Sequence, residues 1–181
     1  DLSDVHTDEK ADFRRELGLR KDDLVVLYSG NMGAKQGLDV VLDAAERVRD
    51  SPVMFVLCGA GPEKEHLQHR AHGWSNVRFL AVQPESRLCE LLNLADLHII
   101  PQLPSVADLV LPSKLAGALA SGKDVLAIAD SGTELHEFLG GVGAVIPTGD
   151  VDALATSIKS IATDGPSDST RRLERAKTLS T

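Results

Sequence analysis

Apolar runs alternate with amphipathic stretches through most of this chain, and that alternation restricts the fold more than any other feature. Residues 23–29 (DLVVLYS), 52–58 (PVMFVLC), 76–81 (NVRFLA), 96–101 (DLHIIP), 124–129 (DVLAIA) and 143–147 (GAVIP) read as six strands. The stretch 37–49 carries Leu38, Val41, Leu42, Ala45 and Val48 on one helical side, with charges opposite. Further helices open with Pro62 in a first turn and with Pro84, the latter presenting Leu88, Leu91 and Leu92. Others span 113–121, stopped by Gly122, then 133–139, then 150–162 with Asp150 as cap. A break at 163–169 precedes a polar helix at the end. Strands separated by helices of this length require crossovers, and crossovers give a parallel sheet covered on both faces. The expected fold class is therefore α/β, a doubly wound parallel sheet of about six strands. Without a repeat or a low-complexity linker, 1–181 reads as one domain.

Composition narrows the function classes. The 181 residues suffice for one core, and 43% hydrophobic with 25% charged residues is ordinary for a globular protein. No apolar run reaches membrane-span length, and nothing signal-like opens the sequence. Cys58 and Cys89 lie in no metal or redox spacing. A net charge of −8 without a basic run argues against nucleic acid as a partner, but not against one small anion.

In doubly wound sheets, ligands bind at the carboxyl ends of the strands. That rule selects 29–37, 58–62, 81–84, 101–114 and 130–133. In the first, Gly30, Gly33 and Gly37 allow close approach of backbone to a ligand, and Lys35 lies at a helix start. The spacing is neither a dinucleotide fingerprint nor a P-loop. A strand-to-helix turn with a solvated lysine accounts for this loop as well as an anion cradle does. The second anomaly is LPSKLAGALASG, 111–122, where Ser113 is a candidate N-cap and Lys114 falls in the first turn, against the dipole. Two lysines at helix starts on one rim favour a diphosphate. CGAGPE, 58–63, reads as a tight turn. His66, His69 and His72 do not share a helix face, so surface positions fit them better than a metal site. Asp108 is a candidate for binding hydroxyls, with a solvated loop residue as the equal alternative. No nucleophile–base pair can be defended.

Taken in order, YSGNMGAKQGLDVVLDAA, VLCGAGPEKEHL, NVRFLAVQPESRLCELLNLADLHIIP, LPSKLAGALASGKDVLA and GVGAVIPTGDVDALATSI carry a resemblance over about 22–163. The chain resembles the C-terminal, Rossmann-like domain of group 1 (family 4) retaining glycosyltransferases of the two-domain GT-B fold. It looks nearest to enzymes of colanic-acid and O-antigen synthesis. The resemblance implies a nucleotide-sugar donor, with UDP favoured, and a hexose transferred to a glycan or lipid-linked acceptor. It also implies that no metal or other cofactor is needed, and that an N-terminal acceptor domain of the same polypeptide is absent from this sequence. By this resemblance the isolated chain is inactive, and the whole enzyme is cytoplasmic, at the inner face of the plasma membrane. The donor-binding residues implied are Gly30, Asn31, Gly33, Lys35, Val82, Gln83, Pro112, Ser113 and Lys114, with Asp108 a partial substitute for a missing glutamate.

The sequence also departs from the family pattern. Asn31 stands where an arginine is common, Gln36 where the lysine usually stands, Leu109 and Gly117 where two glutamates usually stand, and Asp124 where proline is common. These departures keep open a second reading, a non-catalytic nucleotide-binding or interaction module. The helix from about Thr170 is expected to lie unpaired, because it buries little by itself.

Overall fold

The structure, a computed structural model, describes residues 13–103, 111, 113–164 and 169–179. Six strands form one parallel sheet: β1 (Leu24–Ser29), β2 (Val53–Cys58), β3 (Val77–Leu80), β4 (Leu97–Pro101), β5 (Asp124–Ile128) and β6 (Ala144–Ile146). Their order is β3-β2-β1-β4-β5-β6, so the strand order reverses between β1 and β4. There the register pairs Val26 with Leu97 and Leu27 with His98. The helices are α1 (Asp39–Arg47), α2 (Lys64–Arg70), α3 (Leu88–Leu94), α4 (Lys114–Ala120), α5 (Glu134–Leu139), α6 (Val151–Asp164) and α7 (Thr170–Lys177). The expected doubly wound α/β fold is the one observed, with strand ends within a residue or two of the sequence reading.

Both faces of the sheet are buried, which is why the strands read as continuous apolar runs rather than alternating ones. Successive side chains of β1 go to opposite faces. Val26 and Tyr28 join Val41, Leu42 and Ala45 of α1 and Leu154 and Ile158 of α6. Val25 and Leu27 join Leu91 and Leu94 of α3. Phe13, in a helical turn at 13–16 that the sequence reading did not assign, packs there too. Each such side chain contributes about 1.5–3 kcal/mol relative to exposure.

The final helix corrects an expectation. It is not unpaired but packs on α4, with Ala176 buried beside Leu115, Ala118 and Leu119. Arg172 Nη1 pairs with Asp124 Oδ1 at 2.8 Å, both side chains under a tenth exposed, and Arg172 Nε donates to the Gly122 carbonyl at 3.1 Å. Asp124 thus has a structural reason to stand where proline is common. Asp150 does cap α6, accepting from the Ala153 N–H at 2.9 Å. Among the described residues no helix is long and apolar enough to cross a membrane.

Candidate functional site

At the carboxyl edge, beside the reversal of strand order, lies a cleft of about 640 Å³. The loops after β1 and β2 build one side. Their backbones pair past the strand ends: Gly30 N donates to Cys58 O at 3.0 Å, Met32 N to Ala60 O at 2.8 Å, and Glu63 N to Met32 O at 2.9 Å. This pairing explains two glycines. A Cβ at Gly59 would lie 1.9 Å from Gly30 O, and one at Gly61 would lie 2.3 Å from Met32 O. CGAGPE is therefore more than a turn into a helix, because it carries the backbone that the first loop leans on. Lys64 Nζ secures it, donating to the carbonyls of Gly59 and Leu80 at 2.7 and 2.8 Å.

The second side comes from α4. Lys114 is partly buried and extends to β1, its Nζ donating to the Tyr28 hydroxyl at 3.2 Å and lying 4.3 Å from the ring centroid. Burial pulls its pKa down to about 8. Tyr28 in turn donates to the Asn31 carbonyl at 2.5 Å, and its own burial pushes its pKa well above the ordinary phenol value. The third side is apolar. Leu88, Leu91 and Leu92 of α3 line it, with Val82 at the mouth. Val82 and Leu88 are the exposed large hydrophobics among the described residues, at 67% and 44%.

Of the residues expected from the sequence, Gly30, Asn31, Val82, Gln83, Ser113 and Lys114 line this cleft together. Gly33 and Lys35 do not. Lys35 is exposed in a 3-10 turn, Ala34–Gln36, and Gly33 N donates to the Gln36 side chain at 3.1 Å. The two segments meet through Gly30 and Lys114 instead: a Cβ on Gly30 would lie 3.8 Å from Lys114 Nζ. Ser113 stands at the N-cap position of α4, but it is helical in conformation and makes no side-chain cap bond. A helix of seven residues also has little dipole, so the ammonium is the main positive charge here. Asp108 and Pro112 lie outside the described residues.

Sequence reasoning set 58–62 on the ligand-binding rim but read CGAGPE only as a tight turn, and it missed the three leucines and Gly117 as cleft residues. The Gly-x-Gly after β2 was the available signal. Gly117 faces Leu92, whose Cδ1 would lie 3.2 Å from an added Cβ, so the helix runs close to α3. His98 sits behind the wall, buried, with Nε2 3.0 Å from Ser121 Oγ. Burial pulls its pKa down to about 4, so it is neutral at pH 7 and holds α4 to β4.

Residues 9–178 match the family described as glycosyl transferases group 1. The chain belongs to the group 1 glycosyl transferases. It is 38% identical over 151 residues to WcaI of Escherichia coli (strain K12), whose name assigns it to glycosyl transfer in colanic acid biosynthesis. That alignment covers 81% of this chain and 37% of WcaI. The fold of HepE from Anabaena, solved with UDP-glucose, superposes with a TM-score of 0.73 at 19% identity, over 99% of this chain and 54% of HepE. A glycosyltransferase from Rickettsia africae gives 0.78 at 14% identity, over 98% and 48%. The GT-B neighbours share the fold, and this group 1 chain spans about a third to a half of the relatives' length.

Proposed function

We propose that this chain is the donor-binding part of a retaining glycosyltransferase. It takes the nucleotide of an NDP-sugar, a UDP-sugar by preference, for transfer of a hexose in exopolysaccharide or O-antigen synthesis. The observation that carries the reading is the cleft itself. It sits at the switch in strand order, has a partly buried ammonium at the glycine loop, and has an apolar shelf beside it. The shelf of Val82, Leu88 and Leu91 suits a base, with the Gln83 turn at its edge. Asn31 and Lys114 suit a diphosphate, whose growing charge during departure a fixed cation stabilises. This supplies the positive charge without a metal. HepE, of the same fold, is solved with UDP-glucose, which supports the same class of donor here.

The acceptor, a glycan or a lipid-linked sugar, and the acid–base chemistry belong to a further domain of the same polypeptide, acting at the cytoplasmic face of the membrane. This part alone then binds donor without transferring sugar. One observation favours a non-catalytic module: Gly117 lines the cleft where relatives of the resembled pattern carry a hydroxyl-binding glutamate.

Calorimetric titration with UDP, GDP and ADP tests the reading. UDP binds, and Lys114→Met weakens it about 10- to 100-fold, the scale of one charge-assisted contact. No heat and no thermal stabilisation with any of the three overturns it in favour of the module.

A further inference from the structure

The chain's one tyrosine, Tyr28, is the penultimate residue of β1. Tyr28 is 1% exposed, and a buried phenol needs partners for its hydroxyl. It has two, one on each side of the cleft. It donates to Asn31 O at 2.5 Å and accepts from Lys114 Nζ at 3.2 Å. Asn31 and Lys114 line the cleft, whereas Tyr28 does not.

These bonds fix more than they first suggest. The peptide between Asn31 and Met32 is held at both ends, its carbonyl by the Tyr28 hydroxyl and its N–H by Ala60 O at 2.8 Å. The preceding Gly30 N–H is held by Cys58 O. Between these two anchors the Asn31 N–H has no partner among the described residues. Lys114 is fixed in the same way. Its ammonium has three protons, and Tyr28 takes one. A phenylalanine would fill the core volume equally well, so packing accounts for the ring and not for the hydroxyl.

Resting on the donor-site reading above, we propose that Tyr28 is a positioning residue for the diphosphate end of the cleft. Its hydroxyl sets the Asn31 backbone and the Lys114 ammonium in one geometry without touching the ligand. A free lysine side chain must be ordered when it meets an anion, and that ordering costs affinity. Here the ordering is done in advance, by a residue outside the site. No carboxylate lines the cleft among the described residues. The other cation nearby, Lys64, is committed to the carbonyls of Gly59 and Leu80. The aligned ammonium is thus left for an incoming anion.

The test uses this chain and UDP as probe. Calorimetry on Tyr28→Phe, Lys114→Met and the double variant gives the coupling between the two side chains. Tyr28→Phe weakens UDP by about 5- to 30-fold, the scale of one hydrogen bond to a charged group. In the Lys114→Met background the same change costs markedly less, because only the Asn31 arm is left to lose, as coupled partners require. A second readout needs no tyrosine variant. In a chain labelled with carbon-13 at the tyrosine Cζ, the single resonance shifts when UDP saturates the site, and Lys114→Met abolishes that shift. Equal losses in both backgrounds, or a resonance that UDP leaves unmoved, overturn the proposal. Tyr28→Phe binding like the unaltered chain while Lys114→Met binds weakly removes Tyr28 and leaves the donor site standing. Failure of the unaltered chain to bind UDP removes both. Should Tyr28→Phe not fold, the resonance decides.

Discussion

A partly buried ammonium at a sheet edge is a cost to the empty fold and would be an asset to an anion site. Lys114 shows both sides, because burial pulls its pKa to about 8 from an ordinary value of 10.5. Between pH 8 and about 10 the unfolded chain keeps a proton there that the folded chain has released. Stability from this residue therefore rises with pH, by up to about 1.4 kcal/mol per pH unit, and is lost as pH falls through 8. Above pH 10 Tyr28 acts oppositely, since the unfolded phenol ionises while the buried one resists. The difference in urea stability between the unaltered chain and Lys114→Met isolates the lysine. It should climb from pH 8 to 10, with the Met variant about 1–2 kcal/mol the more stable at pH 7. A flat difference would mean that Lys114 titrates as in water. If Lys114 meets the diphosphate as proposed, UDP affinity should run the other way, falling above pH 8 by up to tenfold per unit as binding comes to require proton uptake. Lys114 was legible in the sequence because a lysine at a helix start is electrostatically odd. The same cue at Lys35 misplaced a residue, because a 3-10 turn carries it outward. Tyr28 gave no cue, since its partner lies 86 positions away.

Elements show the same split between local and distant information. α7 reads as a polar surface helix, TRRLERAK, yet it is held by a buried ion pair with Asp124. Breaking such a pair from one side leaves a charge without its partner, at about 3–5 kcal/mol. Arg172→Met should cost that much in urea unfolding, and adding Asp124→Asn should recover most of it. Additive losses in the double variant would show the two residues acting separately. The strands were legible because a sheet buried on both faces demands apolar runs, and LVVLYS and VMFVLC leave little else to form. α6 was legible from its Asp150 cap and its apolar stripe. The helical turn around Phe13 was not, because one aromatic residue in a polar segment has no period to read. The apolar face of α3 was seen, but its service as both core and cleft wall depends on how close Gly117 lets α4 approach.

For the molecule as a whole, the question is which edge of the sheet meets an anion. The net charge of −8 opposes any diphosphate at long range, but at physiological salt that field fades over about 8 Å. Local charge then decides. The amino edge has its own cavity, about 510 Å³, with Arg14, Lys21 and Lys123 among its lining residues. It also has Asp22, Asp23, Asp96 and Asp124, and Arg14 is already paired with Asp96 at 2.8 Å. Asp23 and Asp124 are paired in turn with Arg20 and Arg172, so the arginines at this edge are already committed to carboxylates that would repel a diphosphate. The carboxyl-edge cleft has Lys114 with no carboxylate beside it among the described residues. Amide hydrogen exchange with and without UDP reads both edges in one experiment, because exchange slows where a ligand stabilises the closed backbone. Slowing is expected at 29–32, 58–60, 81–83 and 113–117, the backbone around the cleft. Residues 20–24 and 122–124, at the amino edge, should exchange as before. Protection confined to the amino edge would place the anion on the wrong side of the sheet and end the donor-site assignment, whatever the affinity measured.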